Sequence, residues 1–308
     1  MKVLITGASG FVGRHLMPML KAENHECVAV ARSNQGLDAQ FLAVGDFYTF
    51  NNWSAILEGV SVVIHLAARA HVMDADSADE AELYDRANVD VTVRLAKAAL
   101  ASGVKRFVFI SSIKVNGENT LTGASFSSFD VASPKDEYAG SKYRAERYLE
   151  DIARNSTMEL VIIRPPLVYG PGVKANFLRL LNLARSPIPL PFALVDNRRD
   201  MVSVYNLCDL IVTCIEHPAA SNQTFLVSDG RSYSLSELLS VMSSVQGGRS
   251  RLWPVPLSLL TFGFRLLGKE ELVQRLLADL QVDIHHTVET LEWRPKYTLE
   301  DTLRKMIQ

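Results

Sequence analysis

Residues 2–13 read KVLITGASGFVG, and this stretch decides the fold. Its first five residues are mostly apolar and β-branched, as in a strand that is buried on both faces. Three glycines follow, Gly7, Gly10 and Gly13, and the amphipathic run FVGRHLMPMLKAE then predicts a helix. A strand, a tight turn and a helix in this order leave backbone amide groups free at the positive end of the helix dipole. The stretch therefore predicts a site for the diphosphate of a dinucleotide, and a purely structural turn is the alternative.

Four more apolar runs alternate with helical segments such as Ala78–Ser102 along the first half of the chain. The runs are Cys27–Ala31, Val62–His65, Arg106–Ile110 and Glu159–Arg164. Strands that are separated by helices form parallel sheets with helices on both faces. The order therefore predicts an α/β fold, a Rossmann-type doubly wound parallel sheet.

The composition argues against several classes of protein. The chain has 308 residues and a net charge of −2, with no basic run that would attract nucleic acid. Cys27, Cys208 and Cys214 lack metal-ligand or CxxC spacing, and His285 and His286 lack partners at ligand spacing, so we predict no metal site. Unpaired cysteines, and a first strand with no signal peptide before it, predict a cytoplasmic protein.

The most apolar late stretch is PVPLSLLTFGFRLLG, Pro254 to Gly268. It is too short to span a bilayer and contains proline, glycine and arginine, so we expect no stable membrane insertion. We expect a helix packed within a small lobe, and a helix lying on a membrane surface is the alternative.

A second motif is YAGSK, which opens the helical run YAGSKYRAERYLEDIA. Its Tyr138 and Lys142 are four residues apart, so they share one face of a helix. A lysine ammonium group, together with the cationic nicotinamide of an oxidised dinucleotide, favours phenolate and would lower the pKa of the tyrosine from its ordinary value of about 10. The pair is therefore a candidate acid–base centre, and a surface tyrosine and lysine are the alternative.

Together these motifs resemble the extended short-chain dehydrogenase/reductase family over essentially the whole chain. The resemblance rests on the GxxGxxG turn, the YxxxK motif, the run FVFISS that ends in Ser112, and HLAA at residues 65–68. It implies hydride transfer between a nicotinamide and a carbonyl or alcohol carbon. In such a site Tyr138 would give or take the proton, and Lys142 would tune it and anchor the cofactor ribose. Ser112 would orient the carbonyl oxygen.

The resemblance also implies which residues contact the cofactor. They are Gly7, Ser9, Gly10, Phe11, Val12, Gly13, Arg32, Asp46, Phe47, Leu66, Ala67, Ala68, Tyr138, Lys142 and Pro165.

Arg32 bears on which dinucleotide binds. Enzymes that use NAD usually carry Asp or Glu at the end of the second strand, where it accepts from the ribose 2′-hydroxyl. This chain has Ala31 there, followed by Arg32, whose guanidinium suits a 2′-phosphate. We therefore favour NADP(H), with NAD as the alternative. An Arg32 that stacks on adenine or faces solvent is the competing interpretation.

Two later segments, RPPLVYGPG and NRRDMVSVYNL, resemble the sugar-nucleotide branch of the family, the NAD-dependent epimerases and dehydratases. This resemblance implies a UDP-sugar substrate, with Arg199 at its diphosphate. One departure is Asn206, where the branch usually has an aspartate. The substrate contacts that the resemblance implies are Ser112, Lys114, Asn176 and Arg199.

Prolines break up the chain after Gly170, and a strand–helix pattern returns at VSVYNLCDLIVTCIE. We therefore expect residues 1–170 plus about 201–230 to form the NAD(P)-binding Rossmann domain. Residues 171–200 plus about 231–308 would form a smaller, discontinuous C-terminal lobe that binds the nucleotide sugar.

The residues after Ser112 limit the reaction. Dehydratases of this branch need a carboxylate pair there, and this chain has Ile113 and Lys114. The run SSIKVNGE, the RPPLVYGPGVKANF segment and the tail LQVDI…LEW look most like NADP(H)-dependent reductases of UDP-4-keto-6-deoxy-N-acetylhexosamines, in the biosynthesis of surface polysaccharide sugars. The alternative is a UDP-glucose or UDP-N-acetylglucosamine 4-epimerase with bound NAD. A more remote alternative is a non-catalytic NADP-sensing protein.

Many relatives of this kind form homodimers by pairing two long helices. In this chain those helices would be Ala78–Ser102 and Tyr138–Arg154.

Overall fold

The structure is a computed structural model that describes residues 1–32, 41–69, 80–266, 268 and 276–307. Within these residues the strands are β1 Lys2–Thr6, β2 Glu26–Ala31, β3 Phe41–Ala43, β4 Val62–His65, β5 Arg106–Ile110, β6 Glu159–Arg164, β7 Leu167–Tyr169, β8 Met201–Ser203 and β9 Gln223–Leu226. The α-helices are α1 Phe11–Ala22, α2 Trp53–Ile56, α3 Glu80–Tyr84, α4 Val91–Ala101, α5 Glu137–Arg154, α6 Ala175–Leu183, α7 Val204–Glu216, α8 Leu235–Val245, α9 Leu257–Leu266, α10 His285–Leu291 and α11 Leu299–Ile307. A π-helical turn, Asp85–Asp90, joins α3 to α4, and short 3₁₀ turns lie at Ile113–Val115 and Pro218–Ala220.

The described strands form one seven-stranded sheet in the order β3-β2-β1-β4-β5-β6-β9, and all of its strand pairs are parallel. This confirms the predicted doubly wound fold, in which β7 and β8 add a separate two-stranded parallel sheet. The chain winds outward from β1 in both directions, so the order switches between β1 and β4. Ligands of such sheets bind in the crevice beyond the carboxyl ends of the strands at this point.

Helices cover both faces of the large sheet, because its strands are apolar on both sides. On one face α1 and α7 pack against the sheet through side chains such as Leu16, Leu20 and Ile211. On the other face α4 and α5 do so through Leu95 and Leu149. Because helices pack on both faces, the ends of β1, β4 and β5 are held in fixed positions.

A third apolar cluster is centred on the C-terminal helices. It joins Phe177 of α6, Leu239 and Met242 of α8, and Leu303 of α11. The sequence pattern did not reveal how the tail divides. Leu291 and Trp293 pack against the large sheet with α1 and α7, although most of the surrounding tail belongs to the third cluster.

The segment predicted as one long helix, Ala78–Ser102, differs in the structure. Its described part consists of two helices, α3 and α4, with the π-helical turn Asp85–Asp90 between them. A π turn inserts one residue into the helical ladder and is common at functional sites. Here it turns Asn88 into the protein interior, where its side chain is buried.

Helix α9 also differs from the expectation of a packed helix. Leu260 is buried and Phe264 packs against the third cluster, as expected. Leu259, Phe262 and Leu266 are instead exposed. Among the described residues no helix combines the length and apolar character needed to cross a bilayer.

Candidate functional site

The glycine turn between β1 and α1 is tightly packed. Gly7 has a φ of 71°, and a Cβ atom there would lie 2.8 Å from the backbone nitrogen of Ala67. A Cβ atom on Gly13 would lie 2.6 Å from the Cα atom of Ala8. Only glycine at these two positions lets β1, the loop after β4 and the start of α1 approach one another so closely.

The first turn of α1 is suited to hold a dinucleotide diphosphate. Gly10 is its N-cap residue, and no side chain caps the helix. The amide groups of the first turn therefore lack a partner within the helix and point beyond the carboxyl end of β1. The shape of the turn and this donor set fit a dinucleotide, as the sequence predicts. Ser9, Phe11 and Val12 complete the turn.

Three of the predicted cofactor contacts, Arg32, Asp46 and Phe47, follow the carboxyl ends of β2 and β3. Arg32 follows buried Ala31 and is exposed, and its carbonyl oxygen accepts from the backbone nitrogen of Gly45 at 3.2 Å. Asp46 is exposed and its Oδ1 accepts from the backbone nitrogen of Tyr48 at 3.0 Å. Phe47 stacks on Trp53, with 5.9 Å between ring centroids.

A buried polar chain crosses from β1 to α4 beneath these loops. Thr6 Oγ1 lies 2.6 Å from His65 Nδ1, and His65 Nε2 lies 2.8 Å from Thr92 Oγ1. Thr92 Oγ1 in turn donates to the carbonyl oxygen of Asn88 at 2.6 Å. Since that hydroxyl donates onward, it accepts from His65, so the imidazole proton is on Nε2.

Burial away from water keeps this imidazole neutral. His65 Nδ1 then accepts from Thr6, whose hydroxyl is also the acceptor for the backbone nitrogen of Ala67 at 3.4 Å. Complete burial, together with the nearby charge of Lys142, lowers the pKa of His65 to about 3. A neutral histidine thus connects the strand before the glycine turn to the helix that faces it.

Asn88 extends the polar chain to α5. Its Oδ1 accepts from the backbone nitrogen of Arg69 at 2.8 Å, and its Nδ2 donates to the carbonyl oxygen of Arg69 at 3.2 Å and to Ser141 Oγ at 3.0 Å. Ser141 Oγ donates to the carbonyl oxygen of Tyr138 at 2.8 Å. The side-chain amide of Asn88 is therefore hydrogen-bonded both to the loop that follows β4 and to the first turn of α5.

The structure brings Ser112 and Tyr138 together, as the resemblance implies. Their side chains are hydrogen-bonded, which lowers the pKa of Tyr138. Burial has the larger effect and, together with the carboxylate of Asp136 and the phenol of Tyr84, raises that pKa to about 12. The protein's own groups therefore do not give the predicted lowering of the tyrosine pKa, because desolvation and the Asp136 carboxylate outweigh the Ser112 hydrogen bond. The part of the prediction that rests on an oxidised nicotinamide stays a prediction.

Lys142 lies one turn after Tyr138 and is buried. Its Nζ donates to the carbonyl oxygen of Ile110 at 2.7 Å and lies 4.4 Å from the centroid of the Phe109 ring. Burial lowers its pKa to about 7, and the carboxylate of Glu146 opposes this. The ammonium group is therefore fixed at the end of β5, two residues before Ser112.

Lys114 has acidic partners in the structure. Its Nζ forms ion pairs with Asp136 and, at 3.4 Å, with Glu118. Asp136 is also the N-cap of α5, where its Oδ1 accepts from the backbone nitrogen of Ala139 at 2.7 Å. Lys114 thus partly neutralises the carboxylate that raises the pKa of Tyr138. Sequence analysis missed Asp136, although its position before the run EYAGSK is typical of a helix cap.

The two other predicted substrate contacts lie on separate elements. Arg199 is half-buried, its Nη1 donates to the carbonyl oxygen of Ala278 at 2.9 Å, and its backbone pairs with Tyr233. Burial lowers the pKa of its guanidinium. The backbone of Asn176 lies in the first turn of α6, and its side chain is outside the described residues.

Pro165, the last predicted cofactor contact, is buried after β6 and accepts from the backbone nitrogen of Ile113 at 3.0 Å. Leu66, Ala67 and Ala68 follow β4 directly. The described residues that were predicted to contact the cofactor or to form the Ser-Tyr-Lys group therefore lie at the carboxyl ends of the strands.

Asn206, the departure from the branch pattern, is fully buried in α7. Its Nδ2 donates to Asp229 Oδ1 at 2.7 Å and to the carbonyl oxygen of Tyr297 at 2.8 Å. Its Oδ1 accepts from the backbone nitrogens of Lys296 and Tyr297, both at 2.9 Å. The amide therefore uses both donor and acceptor to join α7 to the C-terminal tail.

Comparisons with known proteins agree with this arrangement. Residues 3–228 match the family described as NAD dependent epimerase/dehydratase family. A UDP-glucose 4-epimerase from Vibrio cholerae is 46% identical over 309 aligned residues, which cover 99% of this chain and 94% of that protein.

Solved structures give a consistent result. MoeE5 in complex with UDP-glucose and NAD has a TM-score of 0.79 at 25% identity, covering 100% of this chain and 97% of that one. UDP-glucuronic acid 4-epimerase from Bacillus cereus in complex with NAD has a TM-score of 0.78 at 21% identity, covering 99% and 94%. Because the Bacillus cereus protein is only 21% identical, its similarity to this chain concerns the fold alone.

Proposed function

Because the chain belongs to the NAD dependent epimerase/dehydratase family, we propose that it is a UDP-hexose 4-epimerase that works with a bound NAD. The substrates are UDP-glucose or UDP-N-acetylglucosamine and their 4-epimers. One observation carries this proposal, the similarity to the Vibrio cholerae UDP-glucose 4-epimerase along nearly the whole chain. The likeness to UDP-glucose- and NAD-bound MoeE5 supports it. This reverses our order of preference from the sequence, in which the reductase came first.

The dinucleotide fits the glycine turn, where Gly7, Gly10 and Gly13 leave room for a diphosphate at the start of α1. When bound, NAD supplies a hydride acceptor and donor and, in its oxidised state, a positive charge that lowers the pKa of a nearby phenol. We propose that Gly7, the first turn of α1 and the loop after β4 hold the diphosphate, and that Lys142 holds the nicotinamide ribose.

Tyr138 handles the proton in this proposal. When the C4 hydroxyl is oxidised, the phenolate of Tyr138 takes its proton, while Ser112 Oγ holds the same oxygen in place. When the 4-keto group is reduced, the phenol returns the proton to that oxygen. A pKa of about 12 keeps Tyr138 protonated near neutral pH, so the protein's own groups favour the donating form. The hydrogen bond from Ser112 acts in the opposite direction and helps the accepting form.

A second candidate is the NADPH-dependent reduction of a UDP-4-keto-6-deoxy-N-acetylhexosamine, for surface polysaccharide synthesis. The observation that favours it is Arg32, which is exposed at the carboxyl end of β2, beside buried Ala31. A guanidinium there suits a 2′-phosphate, and the missing carboxylate removes a repulsion. The same Ser112, Tyr138 and Lys142 serve both reactions, so the two candidates differ in whether the cofactor leaves after each turnover.

We further propose that Arg199, Asn176 and Lys114 contact the UDP-sugar, with Arg199 at the diphosphate. In this proposal the cofactor domain comprises residues 1–170 and about 201–230, and the remaining residues form the substrate lobe. Two copies pair through α4 and α5, and the reaction takes place in the cytoplasm.

The test uses the purified protein with no added cofactor. It is incubated with UDP-glucose and, separately, with UDP-N-acetylglucosamine, and the products are separated by anion-exchange chromatography. Formation of the 4-epimer, with NAD released from the denatured protein, supports the epimerase. In a parallel assay, a UDP-4-keto-6-deoxy-N-acetylhexosamine is supplied with NADPH. Stoichiometric NADPH loss without epimerisation overturns the epimerase in favour of the reductase.

A further inference from the structure

Helix α9 is apolar on two opposite sides. At 100° per residue, Leu260 and Phe264 lie on one side, and Leu259, Phe262 and Leu266 lie on the other. The first side packs against the third apolar cluster. The side chains of the second are between 60% and 73% exposed. A soluble helix needs one apolar side to pack, so the second side requires another explanation.

The residues just before α9 in the sequence add another exposed apolar side chain. Trp253 lies four residues before the helix and is 63% exposed. Its backbone nitrogen donates to the carbonyl oxygen of Leu190 at 2.8 Å, which places it beside the segment that carries exposed Ile188. We define the α9 face as Ile188, Trp253, Leu259, Phe262 and Leu266. It combines leucine with large aromatic side chains, which are enriched where proteins meet membrane interfaces.

Basic residues border this face. The segment Val245–Gly268 contains three arginines, Arg249, Arg251 and Arg265, and no aspartate or glutamate. Arg185, Arg249 and Arg251 line a cleft of about 320 Å³. Arg251 Nη1 donates to the carbonyl oxygen of Pro187, next to Ile188, so the cleft adjoins the α9 face. A positive border beside exposed aromatic and aliphatic side chains is complementary to an anionic lipid surface.

We propose that the α9 face docks the protein reversibly on a bilayer that contains anionic phospholipid. The apolar side chains enter the boundary between headgroups and acyl chains, and the arginines of the cleft contact lipid phosphates. This goes beyond the proposed function and does not depend on it. The face belongs to the proposed substrate lobe, but none of its five residues is assigned to contact cofactor or substrate or to transfer a proton.

The tryptophans provide a direct readout of docking. The chain has three, and Trp53 and Trp293 are buried, at 3% and 4% exposure. A change in emission on contact with lipid therefore reports on Trp253. We would titrate the purified protein with vesicles of phosphatidylcholine alone, and with vesicles that also contain phosphatidylglycerol. Density flotation of the same mixtures measures the bound fraction.

We expect emission to move to shorter wavelength, and the protein to float, with the anionic vesicles. The variant Leu259→Ser/Phe262→Ser/Leu266→Ser should bind at least about tenfold more weakly, because it removes the three most exposed apolar side chains of α9. Arg249→Ser and Arg251→Ser should each weaken binding about fivefold at low salt. Leu121→Ser/Val131→Ser, which alters two other exposed apolar residues, is the matched control and should bind like the wild type.

Three results overturn the proposal. One is absence of flotation with anionic vesicles, and another is unchanged binding by the triple variant. The third is a dimer in analytical ultracentrifugation that the triple variant converts to monomer while wild-type vesicle binding is absent. That result would assign the α9 face to a contact between two copies. Circular dichroism of each variant checks that it folds, and nucleotide-sugar turnover is measured separately.

Discussion

Asn88 donates from Nδ2 to Ser141 Oγ over 3.0 Å, and this hydrogen bond joins the loop after β4 to the helix that carries Tyr138. The same amide holds the backbone nitrogen and oxygen of Arg69. A single buried side chain is thus hydrogen-bonded both to the predicted cofactor loop and to the helix of the predicted proton donor, and it fixes their relative position. The π-helical turn Asp85–Asp90 makes this contact, because it directs Asn88 inward.

Asn88→Asp tests this link. The aspartate keeps an acceptor for the backbone nitrogen of Arg69 and loses both donors, so Ser141 and the Arg69 carbonyl lose a partner. We expect kcat to fall at least about tenfold, with a smaller change in KM, because the reacting groups lose alignment. We also expect the free energy of unfolding to fall by about 1–3 kcal/mol. Asn119→Asp, at an exposed position, is the control. Core variants with the same loss of stability serve as a second comparison. If their kcat falls as much as that of Asn88→Asp, Asn88 has only a structural role.

Tyr138→Phe tests the assignment of the proton donor. The variant keeps the ring and removes the hydroxyl that Ser112 contacts, so turnover should fall by at least about a hundredfold. Cofactor content after purification should stay near the wild-type level. Tyr148→Phe, an exposed tyrosine on the same helix, should leave both unchanged. Retained turnover in Tyr138→Phe would assign proton transfer to another group.

The neutral His65 predicts a loss of stability in acid. Its folded pKa is about 3, below the ordinary value of 6.5, so the unfolded chain binds one more proton at pH values between them. Stability from this group is therefore complete above pH 6.5 and decreases as the pH falls toward 3. The free energy of unfolding should therefore fall by about 2 kcal/mol between pH 7 and pH 5 because of this group.

Urea unfolding at these two pH values measures the effect in the wild type and in His65→Gln. Glutamine can still offer a donor to Thr92 and an acceptor to Thr6, and it does not titrate. The decrease in the wild type should exceed that in the variant by the stated amount. Identical decreases would show that His65 is protonated in the folded protein.

Arg32→Gln tests the cofactor preference. If the guanidinium contacts a 2′-phosphate, the variant should bind NADPH about ten- to a hundredfold more weakly, because a charge-assisted hydrogen bond is lost. Binding of NADH should change little. Fluorescence titration of the cofactor-free protein with each dinucleotide measures both constants. Equal changes for the two dinucleotides would remove the structural support for NADP(H) and with it the case for the reductase.

Asn206→Asp tests the departure from the branch pattern. An aspartate there would place a second carboxylate against Asp229 and leave the Tyr297 carbonyl without its donor. We expect the free energy of unfolding to fall by about 2–4 kcal/mol, measured by urea denaturation at pH 7. Combining it with Asp229→Asn should recover part of the loss, since the repulsion then disappears. A fully stable single variant would mean that the pocket admits water or a proton.

Much of the fold follows from local sequence pattern. The runs Lys2–Thr6, Val62–His65, Arg106–Ile110 and Glu159–Arg164 were predicted as strands at the bounds the structure gives. Such strands are buried on both faces, so every residue of a run is selected for apolarity and the signal is strong. The short strand β3 was missed, because three residues carry too little pattern to identify a strand.

The sequence by itself determined the doubly wound fold, the glycine turn and the order of Ser112, Tyr138 and Lys142, because each depends on residues close together in the chain. Tertiary structure alone decided the direction of the Tyr138 pKa, the neutral state of His65 and the exposed side of α9. The hydrogen bonds between Thr6 and His65 and between Asn88 and Ser141 span 59 and 53 residues. Local periodicity carries no information about such contacts, since burial and charge at one residue are set by side chains that only the completed fold brings near it.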